Sequence, residues 1–252
     1  MDNTLQNMYI RPDIKWLSMP KSTITLLAAL LLSFSSLAQS RDNISVGYGW
    51  GMIYGDNAGL YKFLKFKMKP AFSAAYTKQL SDRFDLRASI GGQVIESGEF
   101  RPLNSPILIE WGDNGQAYYF RGMSYQVDAI PLFIINPNQS GRAGEAVNLY
   151  VGLGLGYLFS ERAQRVLRDG QIQDGVFVSG RVERSNQTSS MPYIPFRFGI
   201  SSNLEYEWDF ALEFQANMLT NSTIDGNEMQ NKLFKPDLLA NFQFMVKRYI
   251  GR

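Results

Sequence analysis

The chain has 252 residues with 25 Lys and Arg against 23 Asp and Glu, and this near-neutral, scattered charge leaves no electrostatic footprint for nucleic acid. It contains no histidine and no cysteine, which removes Ser-His-Asp, Cys-His and Asp-His catalysis, the usual zinc sites, disulfide staples and the cysteine anchor of a lipoprotein. Glycine and aromatics are abundant while mean hydropathy is slightly polar, which excludes a bundle of membrane helices but not membrane strands, where only half the residues meet lipid.

The first feature along the chain is its one dense apolar run. Ile24–Leu32 follows the short basic start Met19-Pro20-Lys21 and precedes Ser36-Leu37-Ala38, the small-x-small pattern of a cleavage site. Residues 1–38 are expected to be an N-terminal extension and secretion signal, with translation beginning at Met1 or Met19. Residues 39–252 are then the mature domain.

From there the chain reads as strands of period two, whose side chains alternate between faces. Ser45–Tyr54 sets Val46, Tyr48, Trp50 and Met52 against Gly47, Gly49 and Gly51. Pro70–Tyr76 is the second strand, and the tight turn Leu80–Asp82 leads into the third, with Phe84, Leu86, Ala88 and Ile90 opposite Asp85, Arg87 and Ser89. The fourth opposes Met123, Tyr125, Val127, Ala129 and Phe133 to Ser124, Gln126 and Asp128. The fifth carries Val147 through Tyr157 and Phe159 on one face, and the sixth sets Ile194, Phe196, Phe198 and Ile200 against Tyr193, Arg197 and Gly199.

Leu204–Met218 is the clearest. Tyr206, Trp208, Phe210, Leu212 and Phe214 share one face, and Glu205, Glu207, Asp209 and Glu213 share the other. An eighth strand runs over about Leu238–Ile250. Strands of about ten residues cross a bilayer, and single-chain bacterial barrels have even strand counts. The prediction is an all-β fold, an eight-stranded antiparallel transmembrane up-and-down β-barrel with a filled lumen.

Long links at Gly55–Lys69, Glu96–Tyr118, Ser160–Ser190 and Thr220–Pro236 alternate with tight turns and with an intermediate loop at Asn136–Gly141. Outward loops and short periplasmic turns produce that alternation, which puts both mature termini in the periplasm.

Periodicity alone does not say which face points outward, and a soluble ligand-binding barrel of the periplasm would put its apolar face inside. Two features favour lipid outside. Glycines sit on the polar face, as a crowded lumen requires. Trp50, Tyr157, Phe159 and Trp208 sit on the apolar face, as aromatic girdles do. The lumen is then expected to hold Arg87 and Arg197 with Glu205, Glu207, Asp209 and Glu213 as a polar network, the sharpest trio being Glu213, Arg197 and Arg87, since buried carboxylates must be paired or protonated.

Structural filling is favoured over an ion path. Paired carboxylates also suit glycoside hydrolysis, but a filled lumen has no room for a sugar. Asp169–Asp174 lacks calcium-loop spacing and reads as a hairpin tip. The aromatic runs Tyr118–Phe120 and Tyr61–Phe66 are assigned to lipid. No cofactor, metal, nucleic acid or small-molecule substrate is expected, and the chain is not expected to be an enzyme.

Three segments resemble the PorG-like small outer-membrane barrels associated with type IX secretion. They are Gly47–Asp56, with its Tyr54-Gly55-Asp56; Ile194–Ile200, similar to a Pro-Phe-Gly-x-Gly strand; and Leu212-Glu213 with Leu219–Gly226, which carries Asp225. Asn221 stands where that family has an aspartate, and a tyrosine of its pattern is missing. The resemblance implies a non-enzymatic component of a secretion complex in a Gram-negative outer membrane, contacting lipid and periplasmic or lipoprotein subunits. A free-standing barrel that binds external surfaces through long loops is the alternative.

Overall fold

The computed structural model describes residues 42–60, 65–137, 147–202, 207–229, 232 and 234–250. The expected signal and extension lie outside those residues, as do Leu204, Glu205, Tyr206 and Tyr61–Leu64. The strands are β1 (Asn43–Tyr54), β2 (Gly59–Leu60), β3 (Lys65–Phe66), β4 (Lys69–Gln79), β5 (Phe84–Glu96), β6 (Tyr119–Ile134), β7 (Val147–Leu153), β8 (Leu155–Gln173), β9 (Val176–Ser202), β10 (Trp208–Leu219) and β11 (Leu238–Tyr249). β2 and β3 pair only with each other, in the first long link.

The other nine make one antiparallel sheet that closes on itself. β1 pairs with β4, β4 with β5, β5 with β6, β6 with β7 and β8, both of these with β9, β9 with β10, β10 with β11, and β11 with β1. β7 and β8, broken only at Gly154, are two halves of one stave, so the ring has eight staves. Closure leaves no unpaired edge.

Which face looks out is settled within β10. Phe210, Leu212 and Phe214 are 43%, 46% and 40% exposed, whereas Asp209, Glu213 and Gln215 between them are 2%, 1% and 4% exposed. The same parity holds around the ring. Trp50, Tyr157, Phe159 and Trp208 all point outward, and Phe210 stacks on Phe244 with ring centroids 5.7 Å apart. A continuous apolar exterior over a polar interior suits a hydrocarbon surround. A water-soluble ligand carrier has the reverse arrangement.

The lumen is layered rather than uniformly polar. Near the long-loop end, Ile53, Ile95, Phe120, Leu158, Met191, Tyr193, Leu219 and Leu239 point inward from seven of the staves and meet Ala58 and Ile224 from the loops. These residues form an apolar disc across the bore, each Ile, Leu, Phe or Met side chain contributing about 1.5–3 kcal/mol through its burial. Phe120, expected to face lipid, therefore faces the lumen. Toward the short-turn end, Ile130, Leu132 and Tyr150 form a smaller apolar cluster.

Two long links depart from expectation. Ser160–Ser190 is no loop: β8 and β9 continue as a paired ribbon to a two-residue turn at Asp174-Gly175, where both residues have positive φ (51° and 76°). An Asp-Gly pair with both φ positive is the turn that matches strand twist in a hairpin. The pairing shifts register between Arg168 and Gln171, where Asp169 also has positive φ, so the tip lies at the far end of Asp169–Asp174. Glu96–Tyr118 contains a helix, α1 (Pro106–Asp113), started by Ser105 and a proline in its first turn. Its Leu108 and Trp111 pack on Leu167 of the ribbon.

In vesicles of chain-brominated phosphatidylcholine, the outward Trp50 and Trp208 are expected to lose emission while the buried Trp111 does not. W50F/W208F should therefore lose most of the quenchable fluorescence, and unchanged quenching would mean that the apolar face does not meet lipid.

Candidate functional site

Ring closure places β5 and β10 across the bore from one another, four staves apart in either direction. Arg87 on β5 reaches over to Glu213 on β10, with Nη1 at 2.5 Å from Oε2. Tyr150 donates to the same oxygen at 2.5 Å, Gln215 donates to Oε1 at 2.9 Å, and Arg197 Nε stands 4.0 Å away. Arg197 in turn holds Asp128 through Nη2 at 2.7 Å and donates to Asn217 at 2.6 Å, while Tyr193 donates to Asp128 at 2.7 Å. Two arginines, two carboxylates and two tyrosines, all buried, are thus interlocked, and charge-assisted bonds satisfy the carboxylates that burial would otherwise leave exposed to a low dielectric.

Glycine makes room for this network. A Cβ on Gly199 would run into the Tyr150 ring, and one on Gly156 into the Tyr193 ring.

Of the expected lumen residues, Arg87, Arg197 and Glu213 come together. Asp209 is buried but lies nearer the short-turn end, where it accepts from Tyr249 at 2.7 Å and from Ser202 at 3.3 Å. Glu207 is exposed and belongs to no lumen network, because β10 starts only at Trp208. Glu205 lies outside the described residues. Asp128 and Tyr150 complete the network, and both were on the inward phase of their strands. So was Lys247, which donates to Ser201 at 3.0 Å and sits over the Tyr150 ring at 4.6 Å.

A second buried cluster lies beyond the apolar disc. Asp225 Oδ2 accepts from the backbone N–H of Asp56 at 2.5 Å and of Asn57 at 3.2 Å, and its Oδ1 accepts from Asn227 N–H at 2.9 Å. Gly55 permits this approach, since a Cβ there would meet the Asp225 carboxylate. Asn57 Nδ2 donates to Ala117 and Asp225 carbonyls at 2.7 and 3.0 Å, tying three loops together.

Asp56, Asp225 and Asp237 have carboxylate oxygens within 4.8 Å of one another, a set that could ligate a cation. The cation there is the chain's own: Lys232 Nζ lies 3.1 Å from Asp56 Oδ2, pairs with Asp237, and sits 5.9 Å over the Tyr54 ring. Three carboxylates outnumber the cations that act on them, Lys232 and Arg162. Burial is the largest cause that pushes Asp225 up to about 6, and burial followed by Asp225's charge pushes Asp237 up to about 8. Tyr54, Gly55, Asp56 and Asp225, singled out from the sequence, meet in this lock; Lys232 and Asp237, equally central, carried no pattern that marks them.

No family model and no curated protein matches the chain. Among solved structures it is similar to Ail, the attachment invasion locus protein of Yersinia pestis, at 14% identity over 84% of this chain and 99% of that one, with a TM-score of 0.43. It is also similar to Neisserial surface protein A, at 8% identity over 84% and 98% with a TM-score of 0.49, and to CarO of Acinetobacter baumannii, at 14% over 81% and 96% with a TM-score of 0.42.

Two outcomes follow. Arg87→Ala and Glu213→Ala should each lower the unfolding free energy in urea titrations from vesicles by about 3–5 kcal/mol, because each strands a buried partner. The double variant should lose less than the sum; additive losses would show that the two do not act as a pair.

For the loop lock the sign runs toward acid. A carboxyl whose folded pKa lies above its unfolded value stabilises closure below the unfolded value near 4, and that stability is lost as pH rises through about 6 to 8. Protease nicking of the 220–237 link, corrected with a peptide standard, should be about tenfold slower at about pH 5.5 than at about pH 8.5. D225N/D237N should flatten that dependence.

Proposed function

We propose that this chain is an outer-membrane β-barrel with a sealed bore, long-loop end outside the cell and both mature termini in the periplasm, serving as a non-enzymatic anchor or accessory subunit of a type IX-like secretion complex. The observation that carries the reading is the closed interior. Ion pairs span the bore at mid-height and the apolar disc crosses it nearer the long-loop end, so the molecule works through its surfaces rather than as a conduit or an active site.

The apolar exterior supports a lipid setting, and the expected secretion signal supports the outer membrane. The secretion role draws on the resemblance to PorG-like barrels: Gly55-Asp56 and Asp225, which carry part of it, bond one another across 169 positions of sequence. Partners would be lipid and periplasmic or lipoprotein subunits. The length of the β8–β9 ribbon favours one second reading, a free-standing barrel that binds external surfaces through it.

An affinity-tagged chain extracted in mild detergent should bring periplasmic or lipoprotein subunits with it, and its deletion should block export of secreted cargo. A barrel that purifies alone from a strain whose secretion survives its deletion would leave only the second reading.

A further inference from the structure

The outward face of the barrel changes character abruptly along β6, β8 and β9. Tyr125 of β6 stands opposite Phe159 of β8, their rings stacked with centroids 6.5 Å apart, and Phe159 stands opposite Ser190 of β9. On the same outward parity, the row two residues farther from the apolar band is Met123, Glu161 and Thr188; the next is Arg121, Ala163 and Asn186; the one after is Tyr119, Arg165 and Arg184. Three arginines therefore gather just past the last aromatic pair. Arg121 is four strand residues from Tyr125, about 13 Å of chain and about 10 Å of height on a tilted strand. That is the level of the lipid headgroups if the aromatic pair marks the edge of the hydrocarbon.

The nearby carboxylates leave part of this charge unmatched: Glu161, one row nearer the aromatic pair, lies within 4 Å of none of the three arginines among the described residues. Arg165 and Arg184 are directly paired across the ribbon, a placement that like charges disfavour. Glu96 is already held by Lys67 and Lys69 at 2.5 Å each, with Arg121 at 3.9 Å. Glu99, 73% exposed, reaches Arg165 only at 3.8 Å, and Glu183 is bound to Arg168 at 3.0 Å. Among the described residues no carboxylate lies within 4 Å of Arg184. Arg165 is held in place by stacking on Tyr119, 4.6 Å from the ring centroid, and the arginines share one shallow cleft with Tyr119 and Asn186. The Arg165 fork, held in this way, matches the paired oxygens of a phosphate, with Arg121 and Arg184 lining the same cleft.

We propose that Arg121, Arg165 and Arg184 form a binding site for the phosphate of an outer-leaflet lipid headgroup. The site rests on the orientation proposed above, with the long-loop end outside, and it is independent of any secretion partner.

The test uses the full mature chain in phosphatidylcholine nanodiscs, with diphosphoryl lipid A added and bound lipid counted by native mass spectrometry. Wild type should retain lipid A, and R121Q/R165Q/R184Q should retain it at least about tenfold more weakly, while R83Q/R248Q, which removes two arginines elsewhere, should match wild type. Dephosphorylated lipid A should bind wild type as weakly as diphosphoryl lipid A binds the triple variant. If the triple variant loses its heat-modifiable gel shift, the single change R184Q, at an exposed position without an ion-pair partner among the described residues, should still weaken binding by about threefold.

Equal retention by wild type and variant, or an equal loss in R83Q/R248Q, would overturn the site. Displacement of lipid A by millimolar inorganic phosphate would reassign it to free phosphate and overturn the lipid assignment. A wild-type chain that fails to insert into any nanodisc would instead count against the membrane reading itself.

Discussion

A carboxylate with 1% exposure must find its partners within the protein, and Glu213 survives in the bore because the closed ring delivers a guanidinium to it from the opposite wall. Arg87 and Glu213 lie 126 residues apart in sequence and face each other only after the last stave has paired with the first. The pair is thus a consequence of closure and also a reason for it, because an open sheet would leave both charges facing the bore alone. Burial of an ion pair is costly in itself and is repaid only by good geometry and further hydrogen bonds. Tyr150, Gln215 and Thr77 supply those bonds.

That requirement reaches back into composition. An eight-stave ring leaves an interior only as wide as its side chains. Large inward groups such as Tyr150, Tyr193 and the two arginines therefore need small ones beside them. Gly199 and Gly156 lie directly against the tyrosine rings, and Gly47 and Gly51 lie against Gln243 and Gln93. Glycine weakens a strand on its own account. Here the cost is offset because the ladder is continuous on both sides of each stave and the space goes to groups that bond across the bore.

Alternation made the staves and their faces legible, since lipid on one side and packed polar groups on the other give the strongest contrast that a strand can carry. Asp128, Tyr150 and Lys247 were also on the inward phase, yet which inward group meets which depends on the stagger of the ring, and no single strand encodes that. The β8–β9 ribbon was hidden for the opposite reason. Between Val176 and Ser190 most side chains on both faces are exposed, so the contrast vanishes along that half of the ribbon, and only the Asp174-Gly175 turn marked a hairpin. α1, at eight residues, is too short for helical periodicity to show; Ser105-Pro106 was its one local sign. The Lys232–Asp237 part of the loop lock lies in a link where no periodicity exists to be read.

The same contrast explains where a sealed barrel can carry function. Inside the bore, Arg87, Glu213, Arg197 and Asp128 are committed to holding one another, and a change there disturbs stability first. On the lipid face, any apolar side chain of similar size will do. What remains free to vary is the rim, where strands leave hydrocarbon but stay paired and so present fixed rows of side chains to whatever lies at that height. Arg121, Arg165 and Arg184 are such a row-ordered group, held by the ladder rather than by a flexible loop. A scaffold locked at its centre is what allows its periphery to be specific.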